Sequence, residues 1–173
     1  MIKSTKSSLH FANTNRLDNL FSFIDEYRSV VSKFVDLLWL QDKIPALLPK
    51  ETTSLIESWL SARAIQCAGK QASGIVRGCR KKQEKRKFMI EKFIKTKQFK
   101  KARKLQKIYD EVSVSKPDID NVEPELDSRF VKIDMENHTS FDGWITLSSL
   151  GNKFNKFNKF KVELPFKKTQ ALQ

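Results

Sequence analysis

The sequence predicts an α+β chain in which a long helical part precedes a small antiparallel β-structure. Three observations carry that prediction. Between Leu17 and Tyr109 apolar residues recur at helical spacing. Residues 112–127 lose that period and carry Pro117 and Pro124 among the acids Asp118, Asp120, Glu123, Glu125 and Asp127. From Arg129 onward, short segments alternate polar and apolar residues and are separated by polar turns, the pattern of a β-meander.

The elements follow in order. KSSLHFAN alternates weakly and reads as a short strand, after which Asn13, Thr14 or Asn15 can cap a helix. Leu17, Leu20, Phe21, Ile24, Tyr27, Val31, Phe34, Val35 and Leu38 then form one apolar stripe, and Pro45 and Pro49 close the helix. A second helix is expected from Thr52 or Thr53, with Leu55, Ile56, Trp59, Leu60, Ala62 and Ile65 inward. The small residues Ala68, Gly69, Ala72 and Gly74 suit close packing there. Gly69, Gly74 and Gly78 each cost up to about 1 kcal/mol in a helix interior, so a bend or break is expected. Beyond Gly78, the residues Met89, Ile90, Phe93, Ile94, Ala102, Leu105, Ile108 and Tyr109 keep an apolar stripe beneath dense positive charge.

After the acidic linker, RFVKIDME, WITLSSLG and FKVELPF read as three strands. Three such strands are marginal alone and need a further partner. Asn-Lys-Phe occurs three times from Asn152 to Phe160. A period of three fits neither helix nor strand, and a hairpin loop lengthened by duplicated triplets is favoured over a Lys and Phe comb that stacks on bases.

Charge points to the partner. The chain of 173 residues has a formal net charge of +13. Lys70 through Lys107 holds 16 Lys or Arg against Glu84 and Glu91, a net of +14, while the remainder holds 17 basic and 18 acidic residues. A single stretch thus supplies the whole excess, which favours a polyanion, and nucleic acid first, over a merely solvated face. Expected partners include no small-molecule substrate, and no cofactor or metal is expected. Two histidines and two distant cysteines give no zinc spacing, no Gly-rich loop with Gly-Lys-Ser/Thr is present, and no nucleophile-base set is legible. Cys67 and Cys79 would stand about 18 Å apart on one helix, too far to bridge, and read as buried thiols of a reducing compartment. The N-terminal residues lack a signal-peptide core and no apolar run reaches membrane-spanning length, so a cytoplasmic protein is expected.

The strand region carries a resemblance. Phe141, Asp142, Trp144, Ile145, Leu147 and Ser148, followed by Leu164, Pro165, Phe166 and Lys167, resemble in order the β-strands of the TnpB (OrfB) family, transposon-encoded RNA-guided DNA nucleases related to type V CRISPR effectors. Ser61 to Gly78, with Gln66, Lys70, Gln71 and Arg77 on a small-residue surface, looks like that family's recognition-lobe helices. The resemblance implies a first strand of a wedge barrel at 1–13, a helical recognition lobe at 14–111, an acidic linker at 112–127, wedge-type strands of an incomplete antiparallel β-barrel at 128–168 and a tail at 169–173. It implies binding of a guide-type structured RNA and its heteroduplex with target DNA. In that family a RuvC-like nuclease follows the wedge; this sequence stops at Gln173 and departs from the family in lacking it, so this chain is expected not to cleave alone. It is then a fragment, a decayed copy or a protein completed by a separate nuclease-bearing polypeptide. The expected contacts to nucleic acid are Lys70, Gln71, Arg77, Arg80, Lys81, Lys82, Lys85, Arg86, Lys100, Lys101, Arg103, Lys104, Lys107 and Lys167. The competing readings are a structural or regulatory DNA-binding protein and a basic amphipathic helix lying on an anionic membrane.

Overall fold

Helix α1 (Thr14–Trp39) begins where Asn13 turns extended and its side chain accepts a hydrogen bond from the Arg16 amide at 3.1 Å. The computed structural model describes residues 8, 10–111, 115–135, 140–151 and 161–167. Residues 10–13 form a turn into this cap, and the rest of the expected first strand, apart from Ser8, lies outside the described residues. α1 buries Leu20, Phe23, Tyr27, Val30, Val31, Phe34, Val35 and Leu38. Phe21, expected in this stripe, is 52 % exposed. It stands about 100° around the helix from Leu20, and Phe23 and Val30 fill the face instead.

The expected second helix is corrected. A short α2 (Lys50–Ser54) is followed by seven residues of non-helical chain, and the long helix starts only at Ala62, capped by Ser61, whose hydroxyl accepts from the Ala64 amide at 3.2 Å. Ile56 and Leu60 are buried all the same, because the extended segment joins the sheet region. The Ser61 amide donates to the Leu150 carbonyl at 3.0 Å, and Leu60 bridges Gly151. The expected break at the glycines is corrected too, since α3 (Ala62–Lys95) is one helix of 34 residues, about 51 Å long. Its unbroken course keeps the free thiols of Cys67 and Cys79 about 18 Å apart.

Gly69 lies where α3 crosses α1. A Cβ there would meet Leu48 Cδ1 at 2.8 Å and the Phe34 ring at 3.5 Å. Gly74 and Gly78, in contrast, face open space. Gly74→Ala and Gly78→Ala are therefore expected to stabilise the chain by about 1 kcal/mol each through helix propensity alone, read as a rise in the midpoint of denaturant unfolding.

α3 ends in a Schellman turn. The Gln98 amide donates to the Phe93 carbonyl at 2.8 Å and the Lys97 amide to Ile94 at 3.0 Å, with Lys97 left-handed at φ 57°. α4 (Phe99–Glu111) then packs back along α3, burying Ile90 against Ala102.

The acidic segment is no free linker. Described from residue 115, it is an irregular strap tied across α1 and α3. Tyr27 Oη donates to the Glu125 carbonyl at 3.1 Å, Arg28 Nε to Val122 at 2.9 Å and Gln71 Nε2 to Glu123 at 2.8 Å, while Ile119 is buried and Lys116 pairs with Asp36. Backbone carbonyls hold it, which is why composition alone reads as unattached chain.

Desolvation lifts the Tyr27 phenol well above its ordinary value. Below about pH 10, where a free tyrosine titrates, this contribution to stability is fully present. Above it the unfolded chain holds fewer protons than the native one, so stability falls as pH rises toward the raised value. Tyr27→Phe is expected to cost roughly 1–2 kcal/mol at neutral pH and to flatten the alkaline loss, both read from denaturant unfolding across pH.

A 3-10 turn at Ser128–Phe130 leads into the sheet. Asp127 caps the turn, and hydrogen bonds from the Arg129 side chain hold its carboxyl below the usual carboxylate range. β1 (Val131–Asp134), β2 (Gly143–Leu147) and β3 (Val162–Phe166) form an antiparallel sheet in the order β1-β2-β3, pairing Ile133 with Ile145 and Ile145 with Leu164. The fold is α+β, as expected, and the sheet is open rather than closed into a barrel. Phe130, Leu150, Val162 and Leu164 join the helices in one core. The Asn-Lys-Phe triplets lie outside the described residues.

Candidate nucleic-acid interface

The positive stretch becomes a helical hairpin. α1 ends beside Arg80, and α3 runs on through Lys95 before α4 returns along it, so the arms hold Lys81 through Lys107, with 13 Lys or Arg against Glu84 and Glu91. Gln83, Arg86, Met89, Ile90 and Phe93 turn toward partial or full burial on α3, and Ala102, Leu105 and Tyr109 do so on α4. Two lines of buried and half-buried residues hold the arms together and leave the cations outward. Among the described residues, Lys107 with Glu111 at 3.5 Å is the single salt bridge in this stretch.

The outward cations fall in register. Lys100, Arg103, Lys104 and Lys107 are spaced i, i+3, i+4, i+7 and share one face of α4, all exposed. On α3, Lys81, Lys85, Lys92 and Lys95 follow one face over about 21 Å, with Phe88 among them at 63 % exposure. Successive phosphates of one strand advance about 3.4 Å along a duplex axis, so a face of this length can meet several of them. An exposed aromatic within a cationic row also suits base stacking.

The expected residues divide accordingly. Lys81, Lys82, Lys85, Lys100, Lys101, Arg103, Lys104 and Lys107 are exposed on the hairpin, and Arg86 is half-buried there. Lys101 Nζ sits 5.8 Å from the Phe93 ring centroid. Gln71 is corrected: it is 8 % exposed, its amide nitrogen is given to Glu123, and its oxygen accepts from the Glu125 amide at 3.3 Å, so it holds the strap. Arg80 is half-buried and is engaged within the fold. Its guanidinium donates to the Asp42 carbonyl at 2.9 Å and the Trp39 carbonyl at 3.0 Å and lies 5.8 Å from the Trp39 ring centroid, placing positive charge at the C-terminus of α1.

Lys70 and Arg77 lie apart from the hairpin arms. With Gln71, Gly74 and Glu125 they line an open cavity of about 610 Å³, in which Arg77 Nε is buried without a hydrogen-bond partner. Lys167 is at the sheet, its Nζ 5.4 Å from the Phe11 ring centroid.

Sequence reasoning missed two groups. Lys87, Lys92, Lys95 and Lys97 belong to the same exposed hairpin and were within reach of charge counting. Arg16 over the Trp144 ring at 5.1 Å, with Phe141 5.8 Å from Trp144 and 5.5 Å from Phe11, makes an aromatic and cationic cluster at the end of the sheet. Its members come from two segments far apart in sequence, 11–16 and 141–144, so no local spacing announces it.

The described residues hold no cluster of His, Cys, Asp and Glu suited to a metal ion and no helix long and apolar enough to cross a membrane. No protein-family model matches the chain, and neither a curated protein nor a solved structure matches it.

Proposed function

We propose that this chain grips structured RNA through the α3–α4 hairpin, as the recognition and wedge part of an RNA-guided DNA nuclease of the TnpB (OrfB) kind that its strand motifs resemble. The observation that carries the reading is the hairpin itself: 13 basic residues against two acidic ones on two helix arms, with the cations turned outward. Lysine heads supply point charges to phosphates, and Arg103 can fork onto one phosphate. Such contacts hold a backbone without selecting a base sequence. Selection then falls to pairing between guide and target, and cleavage to an acidic-triad nuclease part, on the same polypeptide or a separate one. The preference for RNA over duplex DNA rests on the resemblance; the hairpin's charge supports polyanion binding in general.

A competition gel separates the readings. Structured RNA transcribed from beside the gene is expected to displace duplex DNA of matched length, and to be lost steeply as salt rises. Equal affinity for unrelated RNA and DNA would overturn the RNA-guided reading, and a preference for duplex DNA would make the chain a structural or regulatory DNA-binding protein.

A further inference from the structure

The apolar face of the sheet runs out from under the helices. The strand register sets Val162, Leu147 and Val131 in one row and Leu164, Ile145 and Ile133 in the next. Along each row cover is lost: Val162 and Leu164 are buried in the core, Leu147 and Ile145 are half-buried against it, and Val131 and Ile133 are 39 % and 59 % exposed. Met135, next on the same side, is 46 % exposed. The reason is geometric, since α1 packs on β3, at the opposite side of the sheet from β1. β1 is the terminal strand among the described ones, and no described strand pairs with its outer edge, beside which stand three exposed apolar side chains.

The sequence of β1 specifies what can pair with that edge. Lys132 and Asp134 point to the face opposite Val131, Ile133 and Met135. If a second copy adds antiparallel about a twofold axis at Ile133, Ile133 faces its own equivalent, Val131 faces Met135, and Lys132 faces Asp134. Apolar residues then meet on the core side and opposite charges meet on the other. Moving the axis to Lys132 or Asp134 sets like charges directly opposite. An axis between residues sets apolar side chains against charged ones. One register alone satisfies both faces. Asp134 already makes an interaction within the chain, and an ionised carboxylate can accept from further donors.

We propose that β1 is a self-complementary edge through which two copies of this chain pair, centred on Ile133, to form one continuous sheet. The pairing edge is only five residues long, Val131 to Met135, so a weak dimer is expected, in about the micromolar range. Each copy carries +13, so mutual repulsion weakens the dimer at low ionic strength. Raising salt strengthens it, the reverse of what salt does to nucleic-acid binding, and the proposal stands independently of the hairpin's function.

Sedimentation velocity on the full chain, free of nucleic acid and at moderate salt, tests it. The expected result is a monomer–dimer equilibrium across the micromolar range. Ile133→Lys, at an exposed position that leaves the core intact, weakens it at least tenfold. Lys132→Asp alone and Asp134→Lys alone each weaken it by setting like charges opposite. The double variant regains it, and an equimolar mixture of the two single variants forms a mixed dimer. A chain that stays monomeric throughout overturns the proposal. So does a dimer indifferent to Ile133→Lys, or single variants that are folded by circular dichroism yet give no dimer on mixing.

Discussion

Replacing Lys100, Arg103, Lys104 and Lys107 together by glutamine is expected to lower affinity for structured RNA on the order of a hundredfold at physiological salt and to reduce the salt slope by about 3. Each phosphate neutralised on a single strand contributes about 0.7 to that slope, and these four share one exposed face of α4. Glutamine keeps the helix propensity and an unbranched polar side chain, so α4 is retained and the loss reports charge. Lys43 and Lys50 are exposed but lie outside the hairpin, and Lys43→Gln with Lys50→Gln leaves the slope nearly unchanged. Fluorescence anisotropy against salt measures both. Equal losses from the two sets would mean that the charge acts diffusely and the hairpin is no interface.

Phe34→Ala carries the largest expected effect on stability. The ring is fully buried and lies 3.5 Å from where Gly69 would carry a Cβ, filling the place where α1 and α3 come closest. Deleting it removes buried apolar surface and leaves a cavity that a helix–helix contact cannot close, at a cost of about 3–5 kcal/mol. Against a domain stability of about 5–15 kcal/mol, that is enough to unfold a substantial fraction of the chain on warming. Phe21→Ala on the same helix should change stability by less than about 0.5 kcal/mol. Chemical denaturation of the two variants distinguishes the observed stripe from the one that periodicity suggested.

That pair also shows where the sequence was legible. α1 was readable because 26 residues repeat one period, yet its stripe was drawn one position wide of the mark at Phe21, where an apolar residue sits beside the buried face. The three strands were readable from alternation, and the hairpin's charge from counting. Residues 55–61 were not, because Ile56 and Leu60 satisfy a helical period while being buried by an extended chain against Leu150 and Gly151. The unbroken course of α3 through Gly74 and Gly78 was obscured by local propensity, which packing of the first half against α1 overrides. Two of the expected site residues carry long-range bonds within the fold that local sequence does not announce. Gln71 and Arg80 look on paper like their basic and polar neighbours, and only the strap at Glu123 and the end of α1 at Trp39 show that each is bonded within the fold.

The hairpin has a thermodynamic consequence. Its arms bury fully only Ile90 and Ala102, whereas α1 buries eight side chains, so the two regions belong to different cooperative units. Amides of α4 are expected to exchange with solvent through a partial opening that leaves Tyr27 and Phe34 packed, while amides at the centre of α1 wait for global unfolding. If a polyanion lies along the arms as proposed, it is expected to close the partial opening first. Its footprint is therefore legible as slowed exchange from Lys81 to Lys107, with the slow amides of α1 unchanged.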